Sequence, residues 1–284
     1  MSITRLSVEH VSDTAILTAL ARAIESDRPD ALFKDPFARS LAGVRGEQLV
    51  SSIPNIDSLS KAIAVRTHVI DEFILKAVSQ GEIDTVLNLG SGLDTRPYRL
   101  PLPSWLRWID CDLPGILSYK YDTLSNNHPN CTLEFISLDI TDDRARRTIF
   151  QQINQSAGSV MVVSEGLLIY LKPIQVTAIA IDLREQRRFL WWLTDLSSPK
   201  GLQLTEEFLG VNRLNSQVKL EFAPEEGIEF FHNFGWRKMA LRFLLDEALR
   251  LKRINLSEEL LSQLPFKGQQ NLRNVSRLVW LIRT

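Results

Sequence analysis

Cysteine, histidine, long apolar runs and any excess of charge are all scarce in this 284-residue chain, and each scarcity removes a class of function. Two cysteines, Cys111 and Cys131, lie close to predicted sheet positions and far from any His/Cys cluster, so no metal centre is expected, and both read as small buried residues. Lys and Arg total 33 against 34 Asp and Glu. That balance argues against a binder of nucleic acid, which needs a cationic surface, and against a polybasic membrane patch. No run approaches the roughly 18 apolar residues of a membrane span, and the opening MSITRLSVEH has no basic-then-apolar pattern. A cytoplasmic protein acting on a small molecule is the expectation, with oligomeric state left open.

The hydrophobic share is 44%, enough for a full core in one large domain. Apolar residues at helical spacing predict a helix over 13–27, a short one over 37–41 after Asp35-Pro36, and a longer one over 57–80 stopped by Gly81. All three precede the first strand, so residues 1–82 read as a helical cap. From residue 84 the pattern alternates: strands at 84–89, 106–111, 132–138, 159–164 and 187–195, with helices at 114–127, 142–155 and 173–184. Such alternation predicts an α/β fold, a mostly parallel Rossmann-like sheet with helices on both faces, so residues 83–196 form the binding core. Polar, poorly periodic residues 197–223 suggest a lid. Residues 224–284 are expected to complete the sheet through a helix at 224–233, a strand at 236–240, a helix at 243–252 and a last antiparallel strand at 276–282 paired with 236–240.

The chemistry is concentrated between Asp84 and Asp112, DTVLNLGSGLDTRPYRLPLPSWLRWIDCD. A buried strand ends at Gly90-Ser91-Gly92, where glycines permit a sharp turn and the close approach of a ligand, and Asp110 and Asp112 end the next strand. A dinucleotide loop carries a third glycine at its sixth position, where a helix start cradles pyrophosphate. Here that position is Thr95, and Pro97 is expected to interrupt any helix. A nucleoside without phosphates fits better, and S-adenosyl-L-methionine is one: its ribose hydroxyls call for a carboxylate such as Asp112 or Asp110.

Seven stretches carry a family resemblance: VSDTA (11–15), SDRPDALFKDPFARSLAG (26–43), AVRTHVID (64–71), NLGSGLDTRPYRL (88–100), WIDCDLPGILSYK (108–120), SLDI (137–140) and SEGLLIYL (164–171). On these the chain resembles the leucine carboxyl methyltransferase-like family of class I S-adenosylmethionine-dependent methyltransferases, in its bacterial branch of polyketide and natural-product O-methyltransferases. The resemblance is close over most of residues 10–172 and looser beyond. It implies that Arg66 grips the methionine carboxylate, that Gly90 contacts the cofactor, and that Asp112, with Asp110 as the lesser candidate, binds the ribose. It further implies that Asp139 and Ile140 border the adenine and that Glu165 pairs with the cofactor ammonium. At Asn88 the chain departs from the acidic residue that often opens the glycine motif in class I enzymes at large.

Each of these residues also has a plainer role available. Arg66 could be a solvated helix charge, Asp112 is placed to cap the helix near Pro114, and Asp139 to cap the helix after Thr141. Asp110 could pair with a loop arginine such as Arg96. Glu165, beside Gly166 after a buried strand, needs a cationic partner, either the cofactor ammonium or Arg66. Methyl transfer to a carboxylate needs no base, whereas a hydroxyl does, and His10, His68 and Tyr170 are the candidates, His10 and His68 first for testing as that base. The expected activity is O-methylation of a carboxylate or hydroxyl of a small molecule. Protein C-terminal carboxyl methylation and a non-catalytic nucleoside-binding module are the alternatives.

Overall fold

Thr85–Leu89 and Val160–Ser164 are buried at every position, and they pair side by side at the centre of a seven-stranded sheet. These are β1 and β4 of the computed structural model, which describes residues 11–50, 53, 55–209, 218–254 and 273–284. The remaining strands are β2 (Arg107–Asp112), β3 (Thr132–Ser137), β5 (Phe189–Ser197), β6 (Trp236–Phe243) and β7 (Ser276–Arg283), in the order β3-β2-β1-β4-β5-β7-β6. Only β7 runs against its neighbours, inserted between β5 and β6.

Period-two alternation in the strands sorts the core into two layers. Val86, Trp108 and Met161 share a register row and face one layer, which is covered by α3 (Ile56–Ser79) and α10 (Leu244–Arg250). Leu87, Ile109 and Val162 occupy the next row and face the other, under α6 (Asp143–Ser156), α7 (Pro173–Glu185) and α9 (Glu229–His232). A third apolar cluster joins α1 (Val11–Asp27) and α2 (Ala38–Val50) to Leu93 and to Leu124 of α5 (Pro114–Leu124), which roofs the carboxyl ends of β1 and β2. Among the described residues no helix is long and apolar enough to cross a membrane.

Several expectations change. Helix α3 is a structural layer of the sheet, since its Val65, Val69, Phe73 and Ile74 are buried against β1, β2 and β7; only α1 and α2 form a cap. The short helix expected at 37–41 continues through a kink at Gly43 (φ 54°) to Val50. Pro97 does not abolish helix: Arg96–Arg99 forms one turn, α4, because proline in a first turn lacks only an N–H that has no partner there. The helix predicted over 224–233 shrinks to the single turn Glu229–His232. Within the supposed lid, Pro199–Leu209 is a helix, α8, while residues 210–217 lie outside the described residues. Cys111 and Cys131 are both buried free thiols, and burial pushes the Cys131 thiol up to about 12.

Candidate functional site

Strand order reverses between β1 and β4, since β2 and β3 lie on one side and β5 on the other, and such a switch point opens a crevice beyond the carboxyl ends of the strands. A cavity of about 1300 Å³ lies there, reached by Gly90 after β1, Asp112 at the end of β2, Glu165 after β4, Asp195 near the end of β5 and Arg66 from α3. The loop after β1 is tied to β2 twice. Ser91 N donates to Cys111 O at 3.1 Å, and Gly92 N donates to Asp112 Oδ2 at 2.6 Å. Gly90 sits at φ 62°, and a Cβ there would lie 2.8 Å from Leu167 Cδ1, so the space between loop and wall depends on its missing side chain. The hydroxyl of Ser91 is buried and has no partner among the described residues.

At the other end of the cavity lies an ion network. Arg66 donates through Nε to Glu165 Oε1 (2.9 Å) and through Nη1 to Asp195 Oδ2 (3.2 Å). Glu165 is also held by Arg96 Nη1 at 2.8 Å, and Arg96 bonds Asp71 (2.6 Å) and Asp94 (2.7 Å) as well. Arg96 is only 2% exposed, so an unpaired charge there would be very costly. Burial alone would raise the carboxyl pKa values of Asp94 and Glu165; for both, the Arg96 guanidinium beside them overrides it and holds them below the ordinary range. Among the described residues Asp195 faces one arginine only, and there burial wins and pushes its pKa up.

Asp112 and Asp110 lie on the same face of β2 but have different environments. Asp112 accepts from Gly92 N and, through Oδ1, from Leu113 N at 2.7 Å, and it lines the cavity. It does not cap α5, whose N-cap position is Leu113. Asp110 is fully buried, paired with the equally buried Lys120 at 2.6 Å and bonded by Trp108 Nε1 at 2.9 Å and Asn88 Nδ2 at 3.1 Å. It is not part of the cavity wall, and Lys120 rather than Arg96 is its partner. Asn88 donates to Asp94 and Asp110, both at 3.1 Å, which explains the amide at this position: a carboxylate would face two others.

Other predicted residues are not brought to the cavity. Asp139 folds onto its own turn, accepting from Thr141 N (2.9 Å) and Thr141 Oγ1 (2.7 Å), and the cap of α6 is Asp142 instead. Ile140 packs against the α6/α7 layer, and its carbonyl accepts from Arg146. His68 lies on the outer side of α3, 3.3 Å from Glu72, away from the cavity wall. His10 is outside the described residues. Of the catalytic candidates among the described residues, Tyr170 alone lines the cavity; it is hydrogen-bonded with Thr14, and burial raises its pKa, so the phenol stays protonated. Asp195 had no assigned role in the sequence reading, and Arg96 was offered only as a partner for Asp110, whereas it holds Asp71, Asp94 and Glu165. A lone acid inside the apolar strand WWLTDLS was the available signal, because a charge in such a strand needs a cation.

A parallel sheet with one antiparallel strand, carrying an acidic and cationic cavity at its switch point, is the class I methyltransferase fold. The sequence profile of the leucine carboxyl methyltransferase family matches residues 15–183. A protein of Parafrankia sp. (strain EAN1pec), whose name proposes S-adenosyl-L-methionine-dependent methyl transfer, is 32% identical over 250 residues, covering 80% of this chain and 77% of its own. Two solved structures share the fold at a TM-score of 0.58. One is a protein proposed as a methyltransferase from Thermobifida fusca YX, 16% identical, with 98% of this chain and 96% of that one covered. The other is a DUF574 family protein from Streptomyces avermitilis MA-4680, 10% identical, with 98% of each chain covered. The chain belongs to the leucine carboxyl methyltransferase family.

Proposed function

We propose that Arg66, Gly90, Ser91, Gly92, Asp112 and Glu165 hold S-adenosyl-L-methionine in this cavity for O-methylation of a carboxylate or hydroxyl on a small molecule. Membership of the family makes the chain an S-adenosylmethionine-dependent methyltransferase. The observation that carries the site assignment is the convergence, from four separate segments, of groups matched to the parts of that molecule. Asp112 presents a carboxylate at the end of β2, where ribose hydroxyls find an acceptor. The bare backbone of Gly90 and the unpartnered Ser91 hydroxyl offer close approach and one hydrogen bond. A guanidinium has five N–H donors, so Arg66 keeps donors beyond its two ion pairs for a tail carboxylate, and Glu165 is placed for the ammonium.

When bound, the cofactor supplies a methyl group already activated by its sulfonium. The protein then has to align the acceptor oxygen and exclude water, which suits a largely apolar cavity under a helical cap. Calorimetric titration with S-adenosylmethionine and with S-adenosylhomocysteine tests the assignment. Saturable binding of both, weakened about tenfold to a hundredfold in a folded Arg66→Ala variant, is expected; no binding by the folded wild-type protein would sink it.

A further inference from the structure

The charges in the cavity specify its acceptor, on the assumption that the donor site is as proposed above. Among the described residues three cations line the cavity, Arg22, Arg66 and Arg96, and each already faces a carboxylate. Arg22 bonds Asp35 Oδ2 at 2.9 Å and the carbonyl of Leu93 at 2.6 Å. The connected network contains three arginines, Arg66, Arg96 and Arg99, against four carboxylates, Asp71, Asp94, Glu165 and Asp195. With every member ionised it carries one surplus negative charge. A zwitterionic amino-acid tail leaves that surplus unchanged, and a sulfonium just balances it. An acceptor carrying its own negative charge would find, among the described lining residues, no cation that does not already face a carboxylate.

The rest of the wall is apolar. Leu59 and Ile63 of α3, Leu204 and Leu209 of α8, and Leu244 and Leu245 of α10 enclose the space beside the network. At about 1300 Å³ the cavity exceeds the roughly 300–1,000 Å³ of a one-ligand cleft, so it has room for a second molecule. Among the lining carboxylates of the network, Glu165 is gripped by two arginines and Asp94 by Arg96 and Asn88. Asp195 has one arginine and the Gly166 N–H (2.7 Å), and each of its oxygens has two lone pairs. It is the carboxylate with most capacity for a new donor.

We infer that the acceptor is an uncharged, mainly apolar hydroxyl compound whose O–H donates to Asp195, and that the same carboxylate excludes carboxylate acceptors. This narrows the proposed activity to hydroxyl methylation and gives Asp195 a role in specificity.

Three ligands with one ring system test it: 2-naphthol, 2-methoxynaphthalene, which cannot donate, and 2-naphthoate, each titrated into protein saturated with S-adenosylhomocysteine. The wild-type protein is expected to bind 2-naphthol at least tenfold more tightly than 2-naphthoate and severalfold more tightly than 2-methoxynaphthalene. In Asp195→Asn the preference over 2-naphthoate should shrink to threefold or less. Equal or tighter binding of 2-naphthoate, 2-naphthol no better than its methyl ether, an unchanged preference in Asp195→Asn, or binding of none of the three would overturn the inference. The wild-type ratios decide the acceptor class even if the variant fails to fold. Saturation with S-adenosylhomocysteine is measured first in the same sample, so failure of the donor site is seen separately from failure of the acceptor assignment.

Discussion

At the scale of single residues the site is a problem of placing charge in a dry cavity. Arg66 bridges Glu165 and Asp195, and Arg96 secures Glu165 from behind, so the carboxylate stays ionised and fixed. Removing Arg66 deletes charge-assisted hydrogen bonds worth about 1.5–3 kcal/mol each, which predicts a loss of donor affinity of about tenfold to a hundredfold in Arg66→Ala by calorimetry. Asn88 supports a second prediction. An aspartate there would sit between Asp94 and Asp110 in place of an amide that donates to both. Asn88→Asp is expected to lose about 2–4 kcal/mol of stability near neutral pH. Its new carboxyl would have a raised folded-state pKa, so the deficit should be smallest in acid and grow as pH rises through that value. Denaturant melts at two pH values check the sign. Lys120→Met leaves Asp110 buried without its cation and should cost about 3–5 kcal/mol, read as a lower melting temperature.

At the scale of elements, close backbone approaches set the shape of the cavity. Gly201 lies in the first turn of α8, and a Cβ there would fall 2.1 Å from the carbonyl oxygen of Val275, just before β7. Backbone cannot yield as a side-chain tip does, so Gly201→Ala must push α8 off the sheet end. Since α8 contributes Leu204 and Leu209 to the wall, the expected result is lower turnover with S-adenosylmethionine affinity preserved, measured by comparing kinetics with calorimetry. Much of this level was legible beforehand. The five parallel strands, their intervening helices and the antiparallel seventh strand follow from apolar runs and turn residues. Helix α3 was legible as a helix but not its place, because an amphipathic helix before a first strand has the same spacing whether it caps a cavity or covers a sheet. The 224–233 stretch failed for a related reason: its Phe230, Phe231 and Phe234 mimic helical spacing while they build an aromatic cluster around one turn.

For the whole molecule, the ionisable groups predict a stability optimum in mild acid. For Asp35, Asp94 and Glu165, burial raises the carboxyl pKa but the neighbouring arginines outweigh it, so the folded-state values are depressed. The stability they contribute is present above the ordinary carboxylate pKa of about 4 and is lost as pH falls through their folded values. Asp110, Asp112 and Asp195 are raised by burial, so their contribution is present at low pH and is lost as pH rises through their folded values. Melting temperature should therefore fall steeply below about pH 4 and decline gently on the neutral side of its maximum. A monotonic rise from pH 4 to 8 would contradict the assignment.

The residues by themselves determined the parallel core, the glycine turn and the acid at the end of β2, because each depends on neighbours within a few positions: alternation, φ > 0 at glycine, and the end of an apolar run. They could not separate Asp110 from Asp112. Both point to one face of β2, and only their depth differs, by about 6.6 Å along the strand. That depth puts one under Trp108 and Lys120 and the other at the cavity. Nor could they assign Asp195, whose arginine lies 129 residues away. Charge partners that distant are set by how the sheet is ordered and which helix covers it, and only the tertiary structure decides that.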